Sequence, residues 1–159
     1  MKNLAILLMC GTLTVAAHAA TVNIQWQHPD KYTDVQAGEG SQQAFQKRVF
    51  SQLDKHFAKL AKKLPADQQL NIKVTNLDLA GDVNFGNAQR IRIVRDIFIP
   101  RMVLSYQLLD SSGKTLKKQQ VKLQDLSFMN NISLKYQNDS LGYEKNMIDN
   151  WFKKTFLAS

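Results

Sequence analysis

The sequence contains one cysteine, Cys10, and only two glutamates, Glu39 and Glu144. A lone cysteine cannot close an intramolecular disulfide, so the hydrophobic core must hold the fold together. Two glutamates exclude a paired-glutamate acid–base centre unless these two side chains meet in space. His28 and Asp30 offer nitrogen and oxygen ligands, but their spacing crosses a proline turn and matches no strong metal motif. We expect no bound metal and no cofactor.

The longest apolar run lies at the N-terminus and has the layout of a secretory signal. Lys2 supplies positive charge, residues 4–15 are mostly apolar, and an A-x-A cleavage pattern ends at Ala19. We expect residues 1–19 to be a cleavable signal peptide and residues 20–159 to form a single domain. A membrane-spanning helix needs about 20 apolar residues, so we expect no transmembrane segment after cleavage.

Cys10 lies inside this apolar run and directly follows Met9. A lipidated cysteine requires a small residue before it, so we expect Cys10 to be removed with the signal rather than acylated. The remaining chain would then lack a thiol nucleophile and any cysteine-bound metal.

The chain carries 21 Lys and Arg against 13 Asp and Glu, a net charge of +8. A basic exported domain is attracted to envelope polymers, lipid headgroups or acidic proteins. Nucleic-acid binding favours exposed aromatic residues among the cations, whereas Tyr106 is expected to face the core. We therefore expect an anionic envelope component or an acidic protein as partner, and no nucleic acid.

A long amphipathic helix follows Ser41, which can cap its N-terminus. Its apolar residues recur every three or four positions, with the cations mostly off that stripe. Pro65 ends the helix because proline is not tolerated in a helix interior. His56 flanks the stripe, a position more typical of a solvated residue than of a catalyst. The stripe consists of Phe45, Val49, Leu53, Phe57, Leu60 and Leu64.

Alternating apolar and polar residues predict several strands. Residues 22–26 and 70–74 alternate clearly. A change of phase near Thr75 and Asn76 indicates a bulge. Residues 90–99 alternate in part, which indicates another strand that Pro100 interrupts.

The second half of the chain predicts a hairpin and a final helix. Residues 102–108 form a strand, residues 110–113 a hairpin turn, and Asp139 or Ser140 can cap the helix. The returning strand carries lysines that protect a sheet edge from aggregation. These are Lys114, Lys117, Lys118 and Lys122. The element order predicts an α+β domain, with an antiparallel sheet of about four or five strands and two helices packed on one face.

Four of the five arginines fall in one short segment. They are Arg90, Arg92, Arg95 and Arg101. Guanidinium groups pair well with carboxylates and phosphates. One hypothesis is an anion-binding strip, and the other is internal pairing with aspartates. The candidate internal partners are Asp78, Asp82, Asp96 and Asp125.

Asp78 and Asp82 flank a Leu-Ala-Gly turn. Two carboxylates at a strand end can bind a cation or act as an acid–base pair. Asp and Gly are also ordinary turn residues, and we favour that interpretation. Glu144 lies near the start of the last helix, where the helix dipole stabilises a carboxylate.

Short motifs are spread over almost all of residues 20–159. They are Val22-x-Ile24-x-Trp26, Lys31-Tyr32-Thr33-Asp34-Val35, Asp78-Leu79-Ala80-Gly81, Arg95-Asp96-Ile97 with Pro100-Arg101, Leu104-x-Tyr106, Leu123-x-Asp125-Leu126, and Tyr143-Glu144-Lys145 with Trp151-Phe152. Together they resemble an uncharacterised family of secreted proteins from Gram-negative bacteria, classed as domain of unknown function 3016. The resemblance implies a periplasmic single-domain protein and carries over no catalytic or binding residue.

We expect a periplasmic, non-enzymatic binding or envelope-assembly module, whose arginines contact an anionic or acidic partner. One alternative is a periplasmic hydrolase built on Asp34, Asp78 and Asp82, which requires these carboxylates to converge on one pocket. Another is a structural or stress-related envelope protein, which predicts that no substantial pocket exists. The motifs also predict a polar cluster. Its members are Asp34, Asp78, Asp82, Asp125, Tyr143, Glu144 and Lys145.

Overall fold

The computed structural model describes residues 19–84, 86 and 89–158. Cys10 and the expected signal up to residue 18 lie outside this part of the chain. The elements are β1 (Thr21–Trp26), α1 (Gln42–Ala61), β2 (Gln69–Asp78), β3 (Asp82–Val83), β4 (Arg92–Ile93), β5 (Arg101–Leu109), β6 (Thr115–Gln124) and α2 (Gly142–Phe152). Two short 3-10 helices and a π-helical segment complete the fold at Pro29–Lys31, Leu134–Tyr136 and Lys153–Leu157.

The α+β class is confirmed, but the main sheet is mixed rather than antiparallel. Its four strands lie in the order β1-β2-β5-β6, and β3 and β4 form a separate small sheet. β1 pairs in parallel with β2, from Thr21 opposite Gln69 to Trp26 opposite Val74. The reason is the connection between them, because a helix such as α1 returns the chain to the end of the sheet where β1 began.

The other strand pairs are antiparallel and follow the predicted turns. The register between β2 and β5 shifts between Val74 and Asn76, which confirms the predicted bulge. A tight turn then joins β5 to β6, and Gly113 adopts a positive φ of 82° there. β6 is an outer strand of the main sheet.

α1 begins and ends as its sequence predicts. The Ser41 side chain accepts a hydrogen bond from the Ala44 N–H, and the helix ends at Ala61, before Pro65. Its apolar stripe faces the sheet, with Leu53 and Phe57 fully buried. α2 differs from the prediction in its cap, because the N-cap residue is Leu141 and makes no side-chain capping bond.

The hydrophobic core lies between one face of the main sheet and both helices. Alternate residues of the two central strands are buried on that face, and they pack with residues of α1 and α2 in one cluster. The strand residues are Leu70, Ile72, Val74, Met102, Leu104 and Tyr106. This packing confirms that both helices cover one face. No helix in the described ranges is long and apolar enough to cross a bilayer.

The strand predicted over residues 90–99 is largely wrong. Within this range only β4 pairs with another strand, and that strand is β3. The Phe98 N–H donates to the Arg95 carbonyl at 3.1 Å, and the Gly81 N–H donates to the Phe98 carbonyl at 2.9 Å. The chain therefore turns back before Pro100, and these local bonds replace a strand ladder.

Gly81 and Gly113 both have positive φ but differ in their surroundings, which makes a matched test. A Cβ on Gly81 would lie 2.6 Å from the Ile93 carbonyl oxygen, whereas a Cβ on Gly113 would meet nothing within 4 Å. We expect Gly113→Ala to cost about 1–2 kcal/mol of unfolding free energy from backbone strain alone. Gly81→Ala should cost more, because it also pushes β4 away. Urea unfolding followed by circular dichroism measures both losses, and equal losses would contradict this account.

Candidate functional site

Three of the predicted motifs meet at one cavity of about 510 Å³. Leu79 and Ala80 line it from the turn after β2, and Arg92 lines it from β4. Tyr143 and Glu144 line it from the first turn of α2. These residues are far apart in the sequence, and the fold brings them together because β2 ends where α2 begins.

α1 forms the opposite wall of the cavity. Phe45, Arg48, Val49 and Gln52 project from successive turns of that helix. Val49 is buried, whereas Arg48 is exposed and lies over the Phe45 ring at 5.9 Å. The predicted apolar stripe of α1 therefore lines the site as well as the core.

Glu144 ties α2 to the turn after β2. Its side chain is 2 % exposed, and its Oε1 accepts a hydrogen bond from the Ala80 N–H at 2.7 Å. Burial raises the pKa of the Glu144 carboxyl above its usual value, against the opposing effects of this hydrogen bond and of Arg92. A buried acid with a raised pKa favours the protonated form, so the helix-dipole interpretation of Glu144 is incomplete.

Arg92 closes the cavity from the side of β4. Its Nη1 and Nη2 donate to the two carboxylate oxygens of Asp34 at 2.7 and 2.9 Å. The same guanidinium donates to the carbonyls of Gly81 at 2.9 Å and Gln36 at 3.2 Å. Its Nε is buried and has no hydrogen-bond partner in the described part of the chain, which leaves one donor unused beside the cavity.

A second arginine is also paired internally. Arg101 donates to Asp78 at 2.8 Å. The backbone of Asp78 also forms an isolated parallel β-bridge with the backbone of Asp34. Burial raises the pKa of Asp78, while Arg101 acts to lower it. Both arginines are therefore paired internally, Arg101 with the predicted partner Asp78 and Arg92 with Asp34, which was not among the predicted partners.

The remaining predicted residues lie elsewhere. Arg95 and Asp82 line a separate hollow beside the small sheet, and Arg90 is exposed. Asp125 lies at the end of β6, where its Oδ1 accepts a hydrogen bond from the Ser127 N–H at 3.0 Å. Arg92 and Arg95 therefore line different hollows.

Lys145 lies next to the cavity and neutralises one of its acids. Its ammonium group contacts both carboxylate oxygens of Asp139, at 2.7 and 2.6 Å. Burial acts to raise the pKa of Asp139, but the bond to Lys145 and a backbone bond from Leu141 bring the pKa below its usual value. Asp139 is thus an ionised, internally paired carboxylate at the cavity wall.

Arg48 is a charged cavity residue that the motifs did not single out. No ion pair joins Arg48 to any carboxylate among the residues described. Its neighbour Val49 belongs to the apolar stripe, so the sequence placed Arg48 at the margin of the buried face. That signal is weak, because most cations at such margins are simply solvated.

His56 is buried rather than solvated, in the interface between the two helices. Its Nε2 lies 2.9 Å from Oδ1 of Asp149 on α2. The other carboxylate oxygen of Asp149 accepts hydrogen bonds from Tyr136 at 2.9 Å and from Lys135. Burial is the main cause that lowers the pKa of His56, against the attraction of Asp149.

The described residues contain no group of three or more His, Cys, Asp or Glu side chains that could hold a metal ion.

The sequence model of a family described as Protein of unknown function (DUF3016) matches residues 20–154. No curated protein matches the chain. The family match spans both α-helices and all the strands given above, and it confirms the resemblance seen in the motifs.

Glu144 can be tested by two substitutions that separate charge from hydrogen bonding. Glu144→Gln keeps an acceptor for the Ala80 N–H and removes the ionisable group. Because the folded-state pKa is raised, ionisation costs stability as the pH rises above about 4.5. We expect Glu144→Gln to be as stable as the wild type or more stable at pH 8 in thermal unfolding.

Glu144→Ala leaves the buried Ala80 N–H without an acceptor, so we expect it to lose about 1–3 kcal/mol of unfolding free energy. A Glu144→Gln protein that is as unstable as Glu144→Ala at pH 8 would contradict a raised pKa and show that Arg92 requires the charge.

His56 predicts a loss of stability in mild acid. Its pKa is lowered in the fold, so stability is complete above the unfolded value of about 6.5 and is lost as the pH falls below it. We expect the urea midpoint to fall between pH 7 and pH 5.5, and the fall to be smaller in His56→Gln. His28 is exposed, and His28→Gln should retain the wild-type slope. An unchanged slope in His56→Gln would assign the effect to other groups.

Proposed function

This chain belongs to the DUF3016 family, and we propose that it is a periplasmic binding module without catalytic activity. Its ligand in this proposal is an anionic envelope component that carries an apolar portion. The anionic group enters the cavity between α1, β4 and the start of α2. The observation that carries the proposal is the meeting of the Ala80 turn, Arg92 and Glu144 at one largely apolar cavity.

The charges at the cavity support an anionic ligand. Arg92 and Asp34 compensate one another, as do Lys145 and Asp139. Arg48 is left as a cation without an internal carboxylate partner among the described residues. Guanidinium groups bind carboxylates and phosphates with charge-assisted hydrogen bonds, so an anion at the mouth of the cavity would complete the pairing.

The walls of the cavity support an apolar portion in the ligand. Phe45, Val49, Leu79, Val94 and Leu141 line it. Ligand sites commonly combine apolar walls with a few polar groups that fix orientation. The unused Nε–H of Arg92 is such a group. A fully ionic ligand would leave the apolar wall without an apolar contact. A fully apolar ligand would leave Arg48 without an anionic partner.

The hydrolase alternative has less support from the geometry. Asp34 and Asp78 are each engaged by an arginine. Asp82 is exposed and lines a different hollow. A hydrolytic centre needs carboxylates that converge on the substrate, and these three do not line the cavity. The structural alternative predicts that no substantial pocket exists. The cavity of about 510 Å³ counts against that alternative.

The proposal predicts that charge reversal at Arg48 weakens ligand binding. The probes are octanoate and octyl phosphate, with uncharged octyl glucoside as comparison, all kept below micelle formation. Calorimetric titration should detect the two anions more strongly than the glucoside. Arg48→Glu should weaken anion binding roughly tenfold or more, because a charged hydrogen bond is worth about 1.5–3 kcal/mol.

Lys47→Glu is the matched control. Lys47 neighbours Arg48, is exposed, and does not line the cavity, so its reversal changes the net charge equally. Binding in Lys47→Glu should stay within about twofold of wild type on that local argument. Equal losses in the two variants would show that only the overall charge matters. Equal binding of all three probes would remove the anionic group from the proposal.

A further inference from the structure

The outer strand β6 offers an open edge that is separate from the cavity. It pairs with β5 on one side only, at the end of the strand order β1-β2-β5-β6. From Lys117 to Gln124 the register with β5 runs without a shift. An edge of this length presents a row of unpaired backbone N–H and C=O groups to an incoming strand.

A cleft of about 630 Å³ runs beside this edge, between β6 and α2. The inner row of β6 lines it with Gln119, Val121 and Leu123, and α2 lines it with Met147 and Trp151. None of these residues lines the cavity between α1, β4 and the start of α2, the Arg48 cavity. Inward-pointing side chains of an added strand would therefore meet the apolar residues Val121, Leu123, Met147 and Trp151, which the cleft holds among polar and charged ones.

Trp151 provides an unused hydrogen-bond donor in this region. The residue is 9 % exposed, and its Nε1 has no hydrogen-bond partner among the described residues. A buried indole N–H normally finds an acceptor. The other tryptophan behaves in that way, because Trp26 Nε1 donates to Asp54 at 3.0 Å.

The charges around the cleft have one dominant sign. Lys117, Lys122 and Lys154 line it, against the single carboxylate of Asp125. Lys117 donates to the Thr155 carbonyl at 2.8 Å. Neither Lys122 nor Lys154 forms an ion pair within the described ranges. Lys122 and Lys154 therefore border the cleft as cations without an ion-pair partner among the described residues.

We propose that β6 binds an acidic peptide segment of a partner protein, which adds to the main sheet as a fifth strand. Strand addition takes its affinity from main-chain hydrogen bonds and its specificity from side-chain pockets. The lysines repel a second copy of β6, because that strand would bring the same charges. They attract a strand of opposite charge, so edge protection and partner selection have the same cause.

The backbone edge favours a peptide over a small anion. A small carboxylate or phosphate could contact the lysines and Trp151, but it would leave the backbone groups from Lys117 to Gln124 unpaired. A peptide satisfies both, because its backbone pairs with β6 while its side chains alternate between the cleft and the opposite face of the sheet, where Lys122 lies.

The test uses an eight-residue peptide of alternating valine and glutamate, with blocked ends. Three comparisons isolate its features: a valine–lysine peptide, an N-methylated acidic peptide that cannot pair, and octanoate. ¹H–¹⁵N spectra of the protein should show shifts in the amides of residues 117–124 and in the Trp151 indole N–H. The Trp26 indole, already bonded to Asp54, should not move.

Charge reversal provides the second arm. Lys122→Glu with Lys154→Glu should weaken the acidic peptide roughly tenfold and shift preference toward the lysine peptide. Lys73→Glu with Lys55→Glu changes the net charge equally at exposed positions outside the cleft and should leave binding within about twofold.

Three results would overturn the proposal. Binding of the N-methylated peptide as tight as that of its parent would exclude strand pairing. A shift of the Trp151 indole with octanoate alone would identify a small-anion site. Shifts confined to residues outside 117–124 would place the peptide elsewhere. Each leaves the Arg48 cavity untouched, so failure here is distinct from failure of the proposed function.

Discussion

The guanidinium of Arg92 is the contact on which the candidate site depends. It joins Asp34, Gln36 and Gly81, which lie in two separate segments of the chain, to β4. Asp34 is 14 % exposed in its side chain, so its charge is largely desolvated. Breaking a fully buried pair costs about 3–5 kcal/mol, and this partly exposed pair should cost less.

The polarity of the cavity depends on which of its charged side chains are already paired within the protein. Arg92 and Lys145 are engaged by Asp34 and Asp139, and burial favours the neutral form of Glu144. What remains is an apolar wall and one exposed cation, Arg48. Such a site would suit the amphiphilic ligand that we propose, although the region is rich in ionisable residues. The charges mostly fix the walls, and only one is left over for a ligand.

The two edge strands of the main sheet also differ in their surroundings. At one edge, β1 is tied to α1 through Trp26 and Asp54, and Trp26 stacks on Phe50 at 4.5 Å. At the other edge, β6 exposes most of its side chains and borders an open cleft. The lysines thus lie on the more exposed of these two outer strands, where their repulsion opposes pairing with a second copy of β6.

Local patterns in the sequence determined α1, its Ser41 cap, the bulge after Val74 and the hairpin at Gly113. Each depends on neighbours within a few residues, through periodicity, capping or backbone freedom. Tertiary structure alone decided that β1 and β2 are parallel, that residues 90–99 turn back, and that Arg92 meets Asp34. These outcomes depend on which distant groups compete for the same hydrogen bonds. Periodicity reports which residues avoid water, but it does not report which of two charged partners will be nearer in the folded chain.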